Sequence, residues 1–174
     1  LVLAAKKLGQ KALALTDHNG LYGAINFFQH ARDNGIKPII GTELTMSDGF
    51  NLVFLVKDDT GYRNLCQIIS RGRLNGGHNN FQLNFNDLKN LNQGLIVLSG
   101  GKKGKIYHLL AKRKLDEAIR EARILQDLFE DDFYLEMQQF SAQDTLINLR
   151  LRDLSAEYKI PLAATNDVHF LSHK

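Results

Sequence analysis

The chain lacks several features that would each have imposed a reading. It has a single cysteine, Cys66, so no intramolecular disulfide staples it, which fits a reducing cytoplasm. The surrounding run Tyr62-Arg63-Asn64-Leu65-Cys66-Gln67-Ile68-Ile69 puts the thiol on the apolar side of a helix, where burial makes it structural and inert. No apolar run approaches the ~18 residues of a membrane-crossing helix, and the opening residues are not the basic-then-apolar pattern of a signal peptide. The G-x-S-x-G elbow, the P-loop G-x-x-x-x-G-K-[ST] and a G-x-G-x-x-G after a strand are all missing. Serine hydrolases and the common nucleotide-binding folds therefore find no support.

The 174 residues make one domain by length and are enough to bury a core. The net charge of +3 is compatible with nucleic acid without pointing to it. Lys102, Lys103, Lys105, Lys112, Arg113 and Lys114 concentrate in one stretch. That pattern predicts a solvated helix face, with a phosphate-contacting patch as the alternative. Leu98-Ser99-Gly100-Gly101-Lys102-Lys103-Gly104 has the composition of an anion loop before a helix but matches no specific motif. The opening Leu1-Val2-Leu3-Ala4-Ala5-Lys6-Lys7-Leu8-Gly9 reads as a helix already under way and stopped by glycine. Residues of the fold are thus expected to precede residue 1.

Apolar segments alternate with helical ones almost throughout. Strands are predicted at residues 11–15, 38–44, 52–56, Leu95–Leu98, Phe133–Met137 and 161–164. Helices are predicted at 21–34, 60–70 with Thr60 as N-cap, 86–90, Lys105–Ala111, Leu115–Phe129 and Ala142–Tyr158. Periodicity fails between residues 71 and 84, a glycine- and asparagine-rich stretch that reads as a loop. This alternation calls for a mostly parallel sheet with right-handed crossovers. A distorted (β/α) barrel is the leading architecture, and a doubly wound open sheet is the alternative.

Two strands end in the same chemistry: Ala14-Leu15-Thr16-Asp17-His18-Asn19 and Ala163-Ala164-Thr165-Asn166-Asp167-Val168-His169. Glu43, Ser99 and Glu136 close other strands. α/β folds keep reactive groups at the carboxyl edge of the sheet. Carboxylates and imidazoles together suit Zn²⁺, Mn²⁺ or Fe²⁺, ions that activate water and stabilise phosphoryl charge. Asp167 and His169, two apart, can face the same way. Each residue also has a plain alternative. Asp17 can cap the next helix, Asn166 and Asp167 can turn the chain, and Glu136 can be a surface carboxylate. His30, His78, His108 and His173 read as ordinary polar residues.

Taken in order along the chain, several segments bring a family into view. They are Ala12-Leu13-Ala14-Leu15-Thr16-Asp17-His18-Asn19-Gly20-Leu21-Tyr22-Gly23, Gly35-Ile36-Lys37-Pro38-Ile39-Ile40-Gly41-Thr42-Glu43, Gly61-Tyr62-Arg63-Asn64-Leu65, Gly94-Leu95-Ile96-Val97-Leu98-Ser99-Gly100 and Ala164-Thr165-Asn166-Asp167-Val168-His169-Phe170. Together they resemble the PHP (polymerase and histidinol phosphatase) domain of bacterial DNA polymerase III alpha subunits, replicative or error-prone. The resemblance implies a distorted (β/α) barrel with a metal cluster at its mouth, whose first strand would lie upstream of residue 1. It implies metal-dependent phosphoester cleavage, including 3′–5′ exonuclease action, where the cluster is intact. Where the cluster is degraded it implies a brace for the polymerase module.

By the same resemblance His18, Glu43, Asp167 and His169 match metal ligands, with Asp17 and Asn166 beside them as supporting groups. No residue is assigned a catalytic role. The implied cofactor is a divalent metal, weakly held or absent in this stretch of chain. The implied partners are DNA, the polymerase domains of the same chain and other replication subunits, with no membrane. Three departures from the family pattern stand out. The first-strand H-x-H pair is not in this chain. Asn51 stands where a histidine is common, and Gly101 where a cysteine is common. Neither Asn nor Gly supplies an imidazole or a thiolate.

Overall fold

A computed structural model describes residues 1–77 and 80–169. His78 and His173 lie outside the described residues. Strands β1 (Ala12–His18), β2 (Lys37–Thr45), β3 (Asn51–Val56), β4 (Leu95–Leu98), β5 (Phe133–Met137) and β6 (Leu162–Ala164) succeed one another across a single sheet in sequence order. Helices α1 (Val2–Lys7), α2 (Ala24–Asp33), α3 (Asp59–Gly76), α4 (Phe85–Leu88), α5 (Lys105–Ala111), α6 (Leu115–Phe129) and α7 (Ala142–Tyr158) fill the intervals. The sheet curls as part of a distorted barrel.

The sheet is mixed. β1–β2, β4–β5 and β5–β6 pair parallel, whereas β3 runs antiparallel to both of its neighbours. Residues 46–50 are too few for a crossover, so β2 and β3 can only form a hairpin. That short connection makes β3 the antiparallel member of an otherwise parallel sheet, in keeping with the mostly parallel reading.

The strand faces result from alternation. In β1, Leu13 and Leu15 pack with Ile40 against a small cluster of Val2, Phe27, Ala31 and Ile36 beneath α1 and α2. His18, Thr16 and Ala14 take the opposite, open face. The main core lies between the rest of the sheet and α3, α5, α6 and α7. It is built on Phe54, Leu65, Ile68, Val97, Ile106, Leu125, Phe133 and Leu151, with Phe54 meeting Phe129 edge-on at 6.0 Å. Among the described residues no helix is long and apolar enough to cross a membrane.

Helix α3 differs from its sequence reading at both ends. Its N-cap is Asp58, whose carboxylate accepts a 2.9 Å hydrogen bond from the Gly61 amide; it is not Thr60. At the other end the helix runs to Gly76, through residues expected to be loop. It is held there by packing: Phe81 folds back on Gly72, and the Gln82 amide donates to the Gly72 carbonyl. Asp58→Ala is expected to cost about 1 kcal/mol, the usual loss of an N-cap, measurable by urea unfolding. Cys66 is half-buried on α3.

Candidate metal centre

Parallel pairing of β1 with β2 sets His18 directly beside Glu43. The His18 Nδ1 lies 3.1 Å from Glu43 Oε1, and its Nε2 lies 3.0 Å from the Asn19 side-chain amide nitrogen and 3.3 Å from the Thr45 hydroxyl. At the start of β3, the Asn51 side-chain amide donates to the same Glu43 Oε1 at 2.8 Å. Beyond β6, His169 Nε2 lies 3.0 Å from Asp167 Oδ1. The two carboxylate–imidazole pairs are bridged by Lys103. Its Nζ lies 3.3 Å from both Glu43 oxygens and 3.5 Å from Asp167 Oδ2. Burial works against the charge on Lys103, but Glu43 and Asp167 outweigh it and hold the pKa above the ordinary lysine value.

Four residues matched to metal ligands by resemblance thus converge on one place. The two supporting residues do not join them. Asp17 falls on the helix-facing side of β1, where its Oδ2 accepts the Gly23 amide at 2.7 Å just ahead of α2. It holds the backbone that leads into α2. Asn166 is exposed beside Asp167.

Lys103 is the main functional residue that sequence reasoning missed. The first three members of the basic stretch, still partly exposed, are each paired to carboxylates from elsewhere in the chain. Lys102 Nζ lies 3.0 Å from the fully buried Asp144, and Lys105 Nζ lies 2.9 Å from Asp48 and 3.0 Å from Glu121. Only the latter part of the stretch behaves as predicted, with Lys114 paired locally to Glu117. The signal available in sequence was the dense glycine spacing around the lysines. Gly100 and Gly101 both take positive φ, 84° and 49°, and a side chain at Gly104 would strike the Ser99 carbonyl. A turn this tight, a 3₁₀ turn over Gly101–Lys103, brings consecutive lysines to two different carboxylate clusters, Lys102 to Asp144 and Lys103 to Glu43 and Asp167. The Lys102 amide is already engaged by Gln138 Oε1 at 3.2 Å.

Gln138 also accounts for Gly101. A Cβ at position 101 would lie 2.4 Å from the Gln138 side chain. The space beside Gly101 is therefore filled by an amide. That amide donates to Glu136 Oε1 and to Thr165 Oγ1, and the Thr165 hydroxyl also donates to Glu136. Glu136 is 4% exposed, and its Oε2 has no hydrogen-bond partner. Burial pushes its pKa up, against the hydrogen bonds from Thr165, Gln138 and the Gly100 amide; nearby Glu43 adds to the rise. It is a buried carboxylate, not the surface group that was one reading of the sequence. Ser99 is buried with it and accepts the Glu136 amide through Oγ at 2.9 Å.

A folded-state pKa raised for an acid means that stability is lost as pH climbs through the carboxylate range. Glu136→Gln is therefore expected to raise the melting temperature at pH 8. The gain should shrink towards zero near pH 4, as a pair of melting curves would read.

The donor set does not fit a resident divalent ion. Glu43 is met by N–H groups of Asn51 and Lys103 and by His18, and the Lys103 ammonium lies between Glu43 and Asp167. Among the described residues no three His, Cys, Asp or Glu side chains are placed to hold a metal.

A curled α/β sheet with carboxylate–imidazole pairs gathered at one edge defines a domain of distorted-barrel type. The chain belongs to the PHP domain family, whose model matches residues 1–140. Over its whole length it is 33% identical to DNA polymerase III subunit alpha of Borreliella burgdorferi, covering 16% of that protein. Over 92% of its length it is 36% identical to the subunit alpha of Thermus aquaticus, covering 14%. It is also 35% identical, over 97% of its length, to an error-prone DNA polymerase of Symbiobacterium thermophilum, covering 17%. The chain therefore spans about one-sixth of the length of these relatives. Among solved structures, a protein of Bifidobacterium adolescentis assigned as a metal-dependent phosphoesterase superposes with a TM-score of 0.62, covering 95% of this chain and 80% of that one at 14% identity. That likeness is one of fold.

Proposed function

We propose that this domain is part of a DNA polymerase III alpha-type chain, replicative or error-prone, and that it braces the polymerase module. The observation that carries the reading is likeness to such subunits along the entire chain. The centre supports the bracing role over catalysis. Its carboxylates are satisfied by protein N–H groups and an ammonium, which ties β2, the turn before α5 and the segment after β6 together. His18, Glu43, Asp167 and His169 are on this reading the remains of a metal centre, with Zn²⁺, Mn²⁺ or Fe²⁺ the ions it would have suited. The residues that add nucleotides lie outside this stretch. The partners are the polymerase domains of the same chain, primed DNA held by them and other replication subunits, in the cytoplasm.

The alternative is a free-standing phosphoesterase acting on a small phosphorylated substrate. The fold shared with the Bifidobacterium protein favours it. A primer-extension assay on the full-length chain with primed single-stranded DNA separates the two. Extension that is lost, together with thermal stability, on disrupting this domain by Gly61→Val is the expected result. A chain that extends no primer but releases phosphate from a small monoester would overturn the proposal. So would metal-dependent 3′–5′ excision that disappears in a His18→Ala/Asp167→Ala double variant, since bracing alone predicts none.

A further inference from the structure

The charge arrangement of the centre carries an inference beyond bracing. Glu43 and Asp167 come from distant parts of the chain, one on β2 and the other after β6. Two carboxylates brought this close repel each other unless a positive charge lies between them. In metal-dependent sites of this donor chemistry, the positive charge is the ion. Here one side chain contacts both groups: Lys103 Nζ, at 3.3 Å from each Glu43 oxygen and 3.5 Å from Asp167 Oδ2. An imidazole flanks each carboxylate, His18 on Glu43 and His169 on Asp167. The order across the centre is therefore imidazole, carboxylate, ammonium, carboxylate, imidazole.

The backbone that carries the lysine is held in place. The glycine turn at Gly100 and Gly101 fixes its backbone. Its neighbour Lys102 is anchored on Asp144, and the Lys102 amide is held by Gln138. Asn51 completes the replacement, offering Glu43 a hydrogen-bond donor where a metal site would offer a further acceptor towards an ion.

We infer that the ammonium of Lys103 is a built-in substitute for a divalent cation, so that the centre is charge-balanced without metal and a metal ion must displace the lysine to enter. The inference rests on reading Glu43 and Asp167 as the carboxylates of a former metal centre. It does not depend on whether the parent chain is a polymerase. The centre then transmits rigidity and not Lewis acidity.

The test is Zn²⁺ and Mn²⁺ binding to the full-length chain, read by elemental analysis and by metal-dependent shifts in the melting temperature of this domain. The wild type should hold substoichiometric metal and show no metal-dependent stabilisation. Lys103→Met removes the competing charge and leaves two carboxylates facing each other. It should melt lower than wild type without metal and recover on adding Zn²⁺, with affinity raised about tenfold or more. Lys103→Arg keeps the charge and should behave as wild type towards metal. Adding Asp167→Asn to Lys103→Met should abolish the gained binding and relieve part of the metal-free destabilisation.

A Lys103→Met chain that gains no affinity for either ion overturns the inference. A Lys103→Met chain that fails to fold without metal and is not rescued by metal, while Lys103→Met/Asp167→Asn fails equally, also overturns it. A wild type that already carries a full equivalent, unaffected by Lys103→Met, does so too. Each of these outcomes concerns metal. Failure of the polymerase reading would instead appear as absent primer extension.

Discussion

Asp144→Asn is expected to lower the melting temperature at neutral pH by several degrees or more and to flatten the acid limb of the stability profile. Asp144 is fully buried, and its contacts favour the carboxylate form. Its Oδ1 accepts the Tyr107 hydroxyl at 2.6 Å. Its Oδ2 accepts the Phe140 amide at 2.9 Å, the Ser141 amide at 2.7 Å and the Ser141 hydroxyl at 3.0 Å, and Lys102 Nζ lies 3.0 Å away. The Tyr107 hydrogen bond leads these contacts in holding the carboxyl well below the usual carboxylate range, outweighing the cost of desolvation. The partner responds in kind. Burial first, then the hydrogen bond and charge of Asp144, push the Tyr107 phenol up to about 12.

An asparagine would keep one acceptor oxygen and turn an NH₂ towards donors that need an acceptor. The sign of the pH effect comes from the depressed pKa. The contribution is fully present above the unfolded carboxylate value and is lost as pH falls below it, because the unfolded chain then binds the proton first. Thermal melts from pH 7 down to pH 3 on wild type and variant would read both effects. Equal slopes in the acid range would show that another carboxylate governs acid unfolding. The consequence reaches the Glu43–Lys103–Asp167 centre, since Asp144 anchors the lysine next to Lys103.

Gly61→Val is the other substitution with a large expected cost, about 3 kcal/mol or more. Gly61 lies in the first turn of α3, and a Cβ there would fall 1.8 Å from the Gly94 carbonyl oxygen. That carbonyl cannot retreat cheaply, because it accepts the Lys57 amide at 2.9 Å and leads directly into β4. Valine would force α3 off the sheet and strip packing from Leu65 and Ile68, both fully buried. Gly35→Ala is the comparison. Its φ is +72° but nothing lies within 4 Å, so only backbone strain of about 1 kcal/mol is expected. Denaturant titration of the two variants should separate close packing from left-handed strain, and comparable losses would remove the close-packing account.

Much of this organisation was legible in the chain. Helices α5, α6 and α7 and strands β4 and β5 fall where periodicity places them, because each has a single buried face whose spacing sequence displays directly. The strand-end residues His18, Glu43, Asp167 and His169 were also visible, since the carboxyl edge of a sheet collects them whatever their role. Partnership was the misleading part. Thr60 and Asp58 are equally good caps on paper, and only the helix start chose Asp58. Residues 71–76 look like loop until Phe81 is seen packing on Gly72. Asp17 shares its segment with His18, but alternation along β1 sends it to the other face.

Sequence by itself determined the element order, the family and the set of polar groups that reach the open edge. Those depend on local periodicity and on residues in fixed order along the chain. The tertiary structure decided the role of that set. A lysine in a basic run reads as solvated because its charge is local information, while its counter-charges are 60 residues away at Glu43 and further still at Asp167. Electrostatic balance is a property of distances between distant residues. Folding brings the Lys103 ammonium between two carboxylates, and on the inferred role of that lysine its position distinguishes a braced centre from a metal-bearing one.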